Sequence, residues 1–254
     1  MQAGSKWEQE IFLAAVCYQA MERYWDKRRF VLPKGYRLVA SLGNSGFPRL
    51  GIILASRRNI IVAFCGTQNL PGLAADLDVG RVRFPFLSNS GKTARGITEL
   101  YAEVIRPKVF GTLKRLPQKK VVITGHSMGA ALATLCALDV AANTRFSRPT
   151  VCTFGSPRVG SPRFARVFNN RVGRSIRIVN AYDVVPRLPP GLFGLGYRHV
   201  QRKQVVCFQN GNPVANHEIR RYFDALCREN PSYCRKLCRT QVGFCPKPDG
   251  GAKK

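Results

Sequence analysis

The sequence predicts an α/β fold in which a mostly parallel central sheet is flanked by helices. Strand-like apolar runs alternate with helical patterns from residue 93 to residue 180, which implies parallel strands joined by crossover helices. Three earlier strand-like runs are separated by short turns, which favours antiparallel neighbours. A chain of 254 residues with 45% apolar residues can bury a sizeable core between such layers.

The amino-terminal elements begin with a helix. Apolar residues recur at i, i+4 and i+7 between Trp7 and Asp26, as on a helix packed against a core. Strands are expected next, at Tyr36–Leu42, Leu50–Ala55 and Asn59–Phe64. The stretch Gly66–Ser90 lacks periodicity and is predicted to be a long loop.

The alternating part of the chain follows this loop. It is predicted to run as helix Thr93–Leu116, strand Lys120–Thr124, helix Met128–Asn143, strand Thr150–Phe154, a helix near Pro162–Asn170 and strand Ser175–Asn180. Extended runs around His199–Phe208 and a short helix from His217 to near Cys227 come last. We expect residues 1–230 to form a single domain and residues 231–254 to form a basic, cysteine-containing tail.

The charge of the chain is strongly positive. Lys and Arg total 41 against 14 acidic residues, a formal net charge of +27. Such an excess of positive charge either forms a solvated basic surface that keeps the protein soluble or attracts an anionic partner, such as phospholipid head groups or nucleic acid. The basic residues are scattered and no nucleic-acid recognition module is evident. We therefore expect peripheral contact with an anionic membrane surface and no specific nucleic-acid partner.

The amino terminus does not resemble a secretory signal, because Glu8 and Glu10 follow Lys6 and the apolar run Ile11–Cys17 is short. No stretch approaches the roughly 18 apolar residues of a membrane span. These observations predict a cytoplasmic protein, unless another route exports it.

Eight of the nine cysteines fall into two groups. Those in apolar segments are expected to pack as small hydrophobic residues: Cys17, Cys136, Cys152 and Cys207. Those near the carboxyl terminus show no CxxC pair and enclose no histidine: Cys227, Cys234, Cys238 and Cys245. In an oxidising compartment, disulfides are expected among the second group in preference to a zinc site.

The segment Gly125-His126-Ser127-Met128-Gly129 joins a predicted strand to a predicted helix. Gly-x-Ser-x-Gly in this context is the pattern of a nucleophile elbow, in which a tight turn excludes flanking side chains and lifts the serine above the sheet. The helix that follows directs its amino terminus at the site, where it favours developing negative charge. The pattern predicts that Ser127 is a nucleophile.

A nucleophilic serine needs a histidine base that is oriented by a carboxylate. In α/β-hydrolases the chain order is serine, acid, histidine. The only carboxylates between Ser127 and the later histidines are Asp139 and Asp183. Asp139 lies about 18 Å along the helix and is too distant, so Asp183 remains. His126 is expected to point away, and the base is His199 or His217; topology favours His217.

An oxyanion hole needs two donors. One is expected to be the backbone N–H of Met128, directly after the nucleophile. The other is expected in the loop after strand Asn59–Phe64, where Gly66 permits a sharp turn and Thr67 offers its backbone N–H and its hydroxyl.

Six ordered segments between Trp7 and Cys227 resemble those of the class 3 lipase family: IVAFCGTQN, AADLDV, ITGHSMGAALATLCALDV, TFGSPRVGSPRFA, IVNAYDVVPRLPP and NHEIRRYF. The resemblance implies an α/β-hydrolase fold. It also implies that Ser127 is the nucleophile, Asp183 the acid and His217 the base, with Thr67 and Met128 as oxyanion donors. The lid position, Gln68–Leu73, is short and weakly apolar, which argues against strong interfacial activation.

The predicted function is hydrolysis of lipid carboxylic esters, as in a triacylglycerol or acylglycerol lipase, without a metal or organic cofactor. One alternative is a phospholipase A1-like enzyme on anionic phospholipid surfaces. A second is a catalytically silent hydrolase-fold protein that binds anionic polymers. The sequence predicts neither the acyl-chain length nor the oligomeric state.

Overall fold

A seven-stranded sheet forms the centre of the computed structural model, which describes residues 6–47, 49–66, 78, 80–190 and 196–247. The strands of the protein are β1 (Arg37–Leu42), β2 (Gly51–Ala55), β3 (Asn59–Phe64), β4 (Arg81–Arg83), β5 (Lys92–Ala94), β6 (Lys120–His126), β7 (Thr150–Phe154), β8 (Arg174–Asn180) and β9 (Lys203–Val206). The strand order of the central sheet is β1-β2-β3-β6-β7-β8-β9; β1, β2 and β3 pair antiparallel, and all later pairs in this sheet are parallel. The predicted fold class, an α/β fold with a mostly parallel sheet, is confirmed.

Helices cover both faces of this sheet. They are α1 (Glu8–Trp25), α2 (Arg95–Leu100), α3 (Arg106–Arg115), α4 (Met128–Asn143), α5 (Pro162–Arg171), α6 (Ile219–Glu229) and α7 (Pro231–Thr240); a π-helical turn, Tyr101–Ile105, joins α2 to α3. Helices α2 to α5 pack on one face, and α1, α6 and α7 on the other. Because both faces are covered, the five successive β3 residues from Ile60 to Phe64 are all buried, as expected for central strands of parallel sheets.

Two predicted elements differ from the structure. The predicted loop Gly66–Ser90 contains β4, which pairs with β5 in a two-stranded sheet. The helix expected from Thr93 begins instead at Arg95, because Lys92–Ala94 belongs to β5. A three-residue strand is too short to leave a periodic signal in the sequence.

Residues 231–247 fold back on α1. The side chain of Gln19 in α1 donates to the backbone oxygens of Gly243 and Phe244 at 3.0 and 2.8 Å. Leu237 and Phe244 are buried against the same face of the sheet as α1. The disulfide Cys227–Cys234 links α7 to α6, and the disulfide Cys238–Cys245 links α7 to the segment that follows it.

No helix in the described ranges is both long enough and apolar enough to cross a bilayer.

Candidate active site

Ser127 occupies the tight joint between β6 and α4. Its backbone lies at φ 58° and ψ −128°, a conformation that a residue other than glycine adopts only where its surroundings enforce it. The N–H of Ser127 donates to the Phe154 carbonyl at 3.0 Å. A Cβ at Gly129 would lie 2.8 Å from the carbonyl carbon of Cys65, and one at Gly125 would lie 2.9 Å from the nitrogen of Ala130. Both flanking glycines are therefore required by close backbone contacts.

Asp183 and His217 form a buried hydrogen-bonded pair. Asp183 follows the carboxyl end of β8, and its Oδ1 accepts from the backbone N–H of Val185 at 2.9 Å. Its Oδ2 accepts from Nδ1 of His217 at 2.7 Å and from the hydroxyl of Tyr222 at 2.6 Å. Because Nδ1 carries the proton that Asp183 accepts, Nε2 of a neutral His217 has a free lone pair.

The remaining functional atoms of the histidine and the serine are unpaired. Nε2 of His217 and Oγ of Ser127 are both buried, and neither has a hydrogen-bond partner in the described part of the chain. Buried polar groups normally have partners, and exceptions are frequent at catalytic sites. Nucleophile–base hydrogen bonds are often long without substrate and shorten in the Michaelis complex.

His126 takes a position that the sequence analysis did not anticipate. It was expected to point away from the site, but its ring lies against the ring of His217 with the centroids 4.5 Å apart. Its Nε2 donates to the backbone carbonyl of His217 at 2.6 Å. Burial, and then the neighbouring His217, hold the pKa of His126 well below its ordinary value. The ring is therefore neutral near pH 7.

Gly155 is a second site residue that the sequence analysis missed. It follows β7 with φ +56°, and a Cβ there would lie 2.8 Å from Cε1 of His217 and 3.0 Å from Oδ2 of Asp183. Because glycine has no side chain, the carboxylate of Asp183 and the ring of His217 can pack directly against the backbone of Gly155. The signal in the sequence was its place at the end of a predicted strand. Tyr222 was also missed; it lies on α6, five residues after His217.

Of the two predicted oxyanion donors, Met128 lies within the described residues and Thr67 does not. Met128 opens α4 directly after Ser127, where the first N–H groups of a helix have no intrahelical partner. Gly66 packs against the elbow, since a Cβ there would lie 2.8 Å from Cβ of Ser127. Thr67 and the lid position 68–73 lie outside the described residues.

The other candidates for the acid and the base, Asp139 and His199, form hydrogen bonds with other groups of the protein. Asp139 is fully buried and accepts from the Tyr101 hydroxyl at 2.8 Å and from Nε of Arg106 at 2.7 Å. Nε2 of His199 donates to the Pro186 carbonyl at 2.7 Å, and burial lowers its pKa to about 3. A histidine with so low a pKa is a poor base, so among the described residues the hydrogen-bonded pair Asp183–His217 remains as the candidate acid and base.

The described ranges contain no group of three or more His, Cys, Asp and Glu side chains placed to hold a metal ion.

The sheet topology, the strained serine between β6 and α4, and the aspartate–histidine pair define an α/β-hydrolase. Residues 61–193, over half of the chain, match the model of the family described as lipase (class 3). The chain therefore belongs to the class 3 lipase family, as its sequence motifs predicted.

Three curated relatives illustrate the range of this similarity. A lipase from Rhizomucor miehei is 37% identical over 145 residues, covering 55% of this chain and 40% of that protein. The secreted mono- and diacylglycerol lipase 1 of Fusarium solani is 34% identical over 148 residues, with 57% and 43% covered. Phospholipase A1-II 1 of Oryza sativa subsp. indica is 29% identical over 252 residues, with 85% and 62% covered. The chain thus spans between two fifths and two thirds of these relatives.

Solved structures agree on the fold. The Rhizomucor miehei lipase in its propeptide complex superposes with a TM-score of 0.69 at 24% identity, covering 80% of this chain and 70% of that one. A triacylglycerol lipase with a serine protease triad as its catalytic centre gives 0.65 at 24% identity, with 81% and 82% covered.

Proposed function

We propose that this protein is a serine hydrolase that cleaves the carboxylic ester bonds of acylglycerols. The observation that carries the proposal is the buried hydrogen bond from Nδ1 of His217 to Asp183, in a fold that also holds Ser127 in a strained turn. The hydroxyl of Ser127 has no hydrogen-bond partner among the described residues. This arrangement supplies a nucleophile, a base and an acid that orients the base.

In the proposed reaction, Nε2 of His217 takes the proton of Ser127 while Oγ attacks the ester carbonyl. Asp183 holds the imidazole by its Nδ1–H and stabilises the imidazolium that forms. The imidazolium then gives its proton to the departing alcohol. Water then attacks the acyl-enzyme while Nε2 of His217 takes its proton, and the fatty acid leaves as His217 returns that proton to Oγ of Ser127. In each half of the reaction His217 therefore accepts one proton and gives it up again.

The negative charge of the tetrahedral intermediate needs donors at its oxygen. We propose the backbone N–H of Met128 as one of them, supported by its place at the amino terminus of α4, a 16-residue helix. We propose Thr67 as the other, supported by its place directly after Gly66, which packs against Ser127.

An acylglycerol substrate is supported by the names of the relatives from Rhizomucor miehei and Fusarium solani. Contact with a lipid surface is supported by exposed apolar side chains beside the triad. Tyr182 and Val184, which flank Asp183, are 50% and 41% exposed, and Val214, three residues before His217, is 52% exposed. Such residues favour entry into a lipid–water interface.

A second candidate is phospholipase A1-like activity on anionic phospholipid. It is favoured by the rice phospholipase A1, whose alignment covers 85% of this chain. The net charge of +27 also favours it, since each well-placed basic residue adds about 1 kcal/mol of attraction to an anionic membrane.

The test compares wild type with Ser127→Ala on trioleoylglycerol, dioleoylglycerol and phosphatidylglycerol, each presented as an emulsion or vesicle. Acylglycerol turnover that Ser127→Ala abolishes supports the first proposal, and faster release of fatty acid from phosphatidylglycerol supports the second. Hydrolysis retained by Ser127→Ala would overturn both.

A further inference from the structure

A row of basic residues lies along the amino-terminal edge of the parallel strands, at the end opposite Ser127. It is formed by the three turns that lead into β3, β6 and β7, which are neighbours in the sheet. We call this row the amino-edge strip and define it as Arg57, Arg58, Lys119, Lys120, Arg145 and Arg148. The turns span residues 56–59, 117–120 and 144–149 and contain no acidic residue.

The three turns are held close together. The backbone N–H of Lys120 donates to the Arg58 carbonyl at 3.3 Å, and Nζ of Lys119 donates to the Ser56 carbonyl at 2.6 Å. Because neighbouring strands lie about 5 Å apart, three strand ends span only about 10 Å. A cavity of about 250 Å³ lies between the second and third turns, lined in part by four of the strip residues.

The six charges have no acidic partner in the part of the chain that the structure describes. No carboxylate in the described ranges comes within 4 Å of any strip residue, whereas Arg174, at the start of β8, is paired with Glu10 at 3.4 Å. Five of the six strip residues are exposed, and Lys119 is half-buried. Like charges held this close repel one another. A bound anion would offset this repulsion more strongly than solvent and salt do.

The surroundings of the strip distinguish between anionic partners. The one aromatic residue of the three turns, Phe146, is buried, so none is available for base stacking or for insertion into lipid. The exposed apolar residues Tyr182, Val184 and Val214 lie at the opposite edge of the sheet. Strand β6 has seven residues, and the six steps between them, at about 3.3 Å each, separate the two edges by about 20 Å. When Ser127 faces lipid, the strip faces water.

We propose that the amino-edge strip binds a linear polyanion, an extended chain of closely spaced phosphate or sulfate groups. Binding there goes beyond ester hydrolysis and does not depend on it, because the two sites lie at opposite ends of the same strands. The strip recognises the anionic groups alone. Its binding free energy comes mainly from counterion release, and affinity falls steeply with salt.

The experiment compares two triple variants with the same change in net charge. The strip variant is Arg58→Gln/Lys120→Gln/Arg148→Gln, whose side chains make no hydrogen bond in the described structure; Lys119 and Arg145 are kept because they bond backbone carbonyls. The control variant is Arg235→Gln/Lys236→Gln/Arg239→Gln, three exposed residues of α7. Fluorescent long-chain inorganic polyphosphate and a heparin oligosaccharide serve as probes. Binding to phosphatidylglycerol vesicles and hydrolysis of a short-chain ester are measured in parallel.

Wild type and the control variant are expected to bind at least one probe. Their affinity is expected to fall about 100-fold between 50 and 200 mM salt, as several released counterions require. The strip variant is expected to bind at least tenfold more weakly with unchanged ester hydrolysis. Preference for one probe identifies phosphate or sulfate as the anion.

Three outcomes would overturn the proposal: neither probe binds to wild type, the control variant weakens binding as much as the strip variant does, or the strip variant loses binding to phosphatidylglycerol vesicles while polyanion binding persists.

Discussion

The imidazole of His126 lies against the imidazole of His217, with the ring centroids 4.5 Å apart, and donates to the backbone carbonyl of the same residue at 2.6 Å. The residue before the serine thus fixes the backbone of the proposed base. His126 performs this role as a neutral ring, because burial and the neighbouring His217 lower its pKa. A second cation would destabilise the imidazolium that forms during catalysis.

The first prediction concerns this contact. His126→Leu leaves the buried carbonyl of His217 without a donor, which costs about 1–3 kcal/mol and displaces the base. Since a misplacement of about 1 Å costs about 100-fold, kcat is expected to fall by about that factor with little change in KM. His126→Gln keeps a donor and is expected to lose less than tenfold. A folded Leu variant with kcat within twofold of wild type would refute this role.

The second prediction concerns Gly155. In Gly155→Ala the new methyl group would meet Cε1 of His217 at 2.8 Å and Oδ2 of Asp183 at 3.0 Å, so kcat/KM is expected to fall by about 100-fold or more. Gly35→Ala is the matched control. Its φ of +83° imposes similar backbone strain, but no atom lies within 4 Å of the added carbon. Equal activity of the two variants, measured on a soluble ester, would show that Gly155 does not limit the position of the pair.

The third prediction concerns acid stability. The pKa of His199 is about 3 in the fold, chiefly through burial, and about 6.5 in an unfolded chain. Between these values the unfolded chain binds a proton that the folded chain does not, so stability falls as pH falls. The loss from this residue is about 1.4 kcal/mol per pH unit.

This acid sensitivity is measured by urea denaturation at pH 7.5 and pH 5.0. His199→Gln, which keeps a donor for the Pro186 carbonyl, is expected to lose about 2 kcal/mol less than wild type over that interval. Equal losses in the two proteins would mean that His199 is protonated in the fold.

The fourth prediction concerns the cysteines. Five are free, and four of them are buried; burial raises the pKa of Cys17 and of Cys65 to about 12. Cys207 was expected to pack as a small hydrophobic residue but is exposed, because it follows the last residue of the edge strand β9. Iodoacetamide is expected to modify Cys207 alone in the native oxidised protein and five thiols after unfolding. Nine alkylated thiols without reductant would contradict the two disulfides.

The chain order of strands and helices could be predicted because each parallel strand is a short apolar run bounded by turn residues. The proposed triad could be reduced to Asp183 and two histidines because the chain holds so few carboxylates and histidines after Ser127. That elimination needed no coordinates. It rests on residue types and not on contacts, and the triad it gives stays a prediction.

Contacts between distant residues could not be predicted in the same way. His126 and His217 are 91 positions apart, and nothing local to either residue indicates that their rings meet. Four cysteines near the carboxyl terminus allow three pairings, and the structure joins Cys227 to Cys234 and Cys238 to Cys245 through the packing of α7 on α1. Strand β4 forms because it pairs with β5. The three residues of β4 alone do not indicate this pairing.

The most direct test of the proposed catalytic mechanism is labelling with a fluorophosphonate, followed by peptide mapping. The mechanism predicts one label per chain on Ser127, and labelling slowed by at least about 100-fold in His217→Gln, because the serine then lacks its base. Absence of label, or a label on another residue while Ser127 stays unmodified, would contradict the claim that Ser127 is the nucleophile.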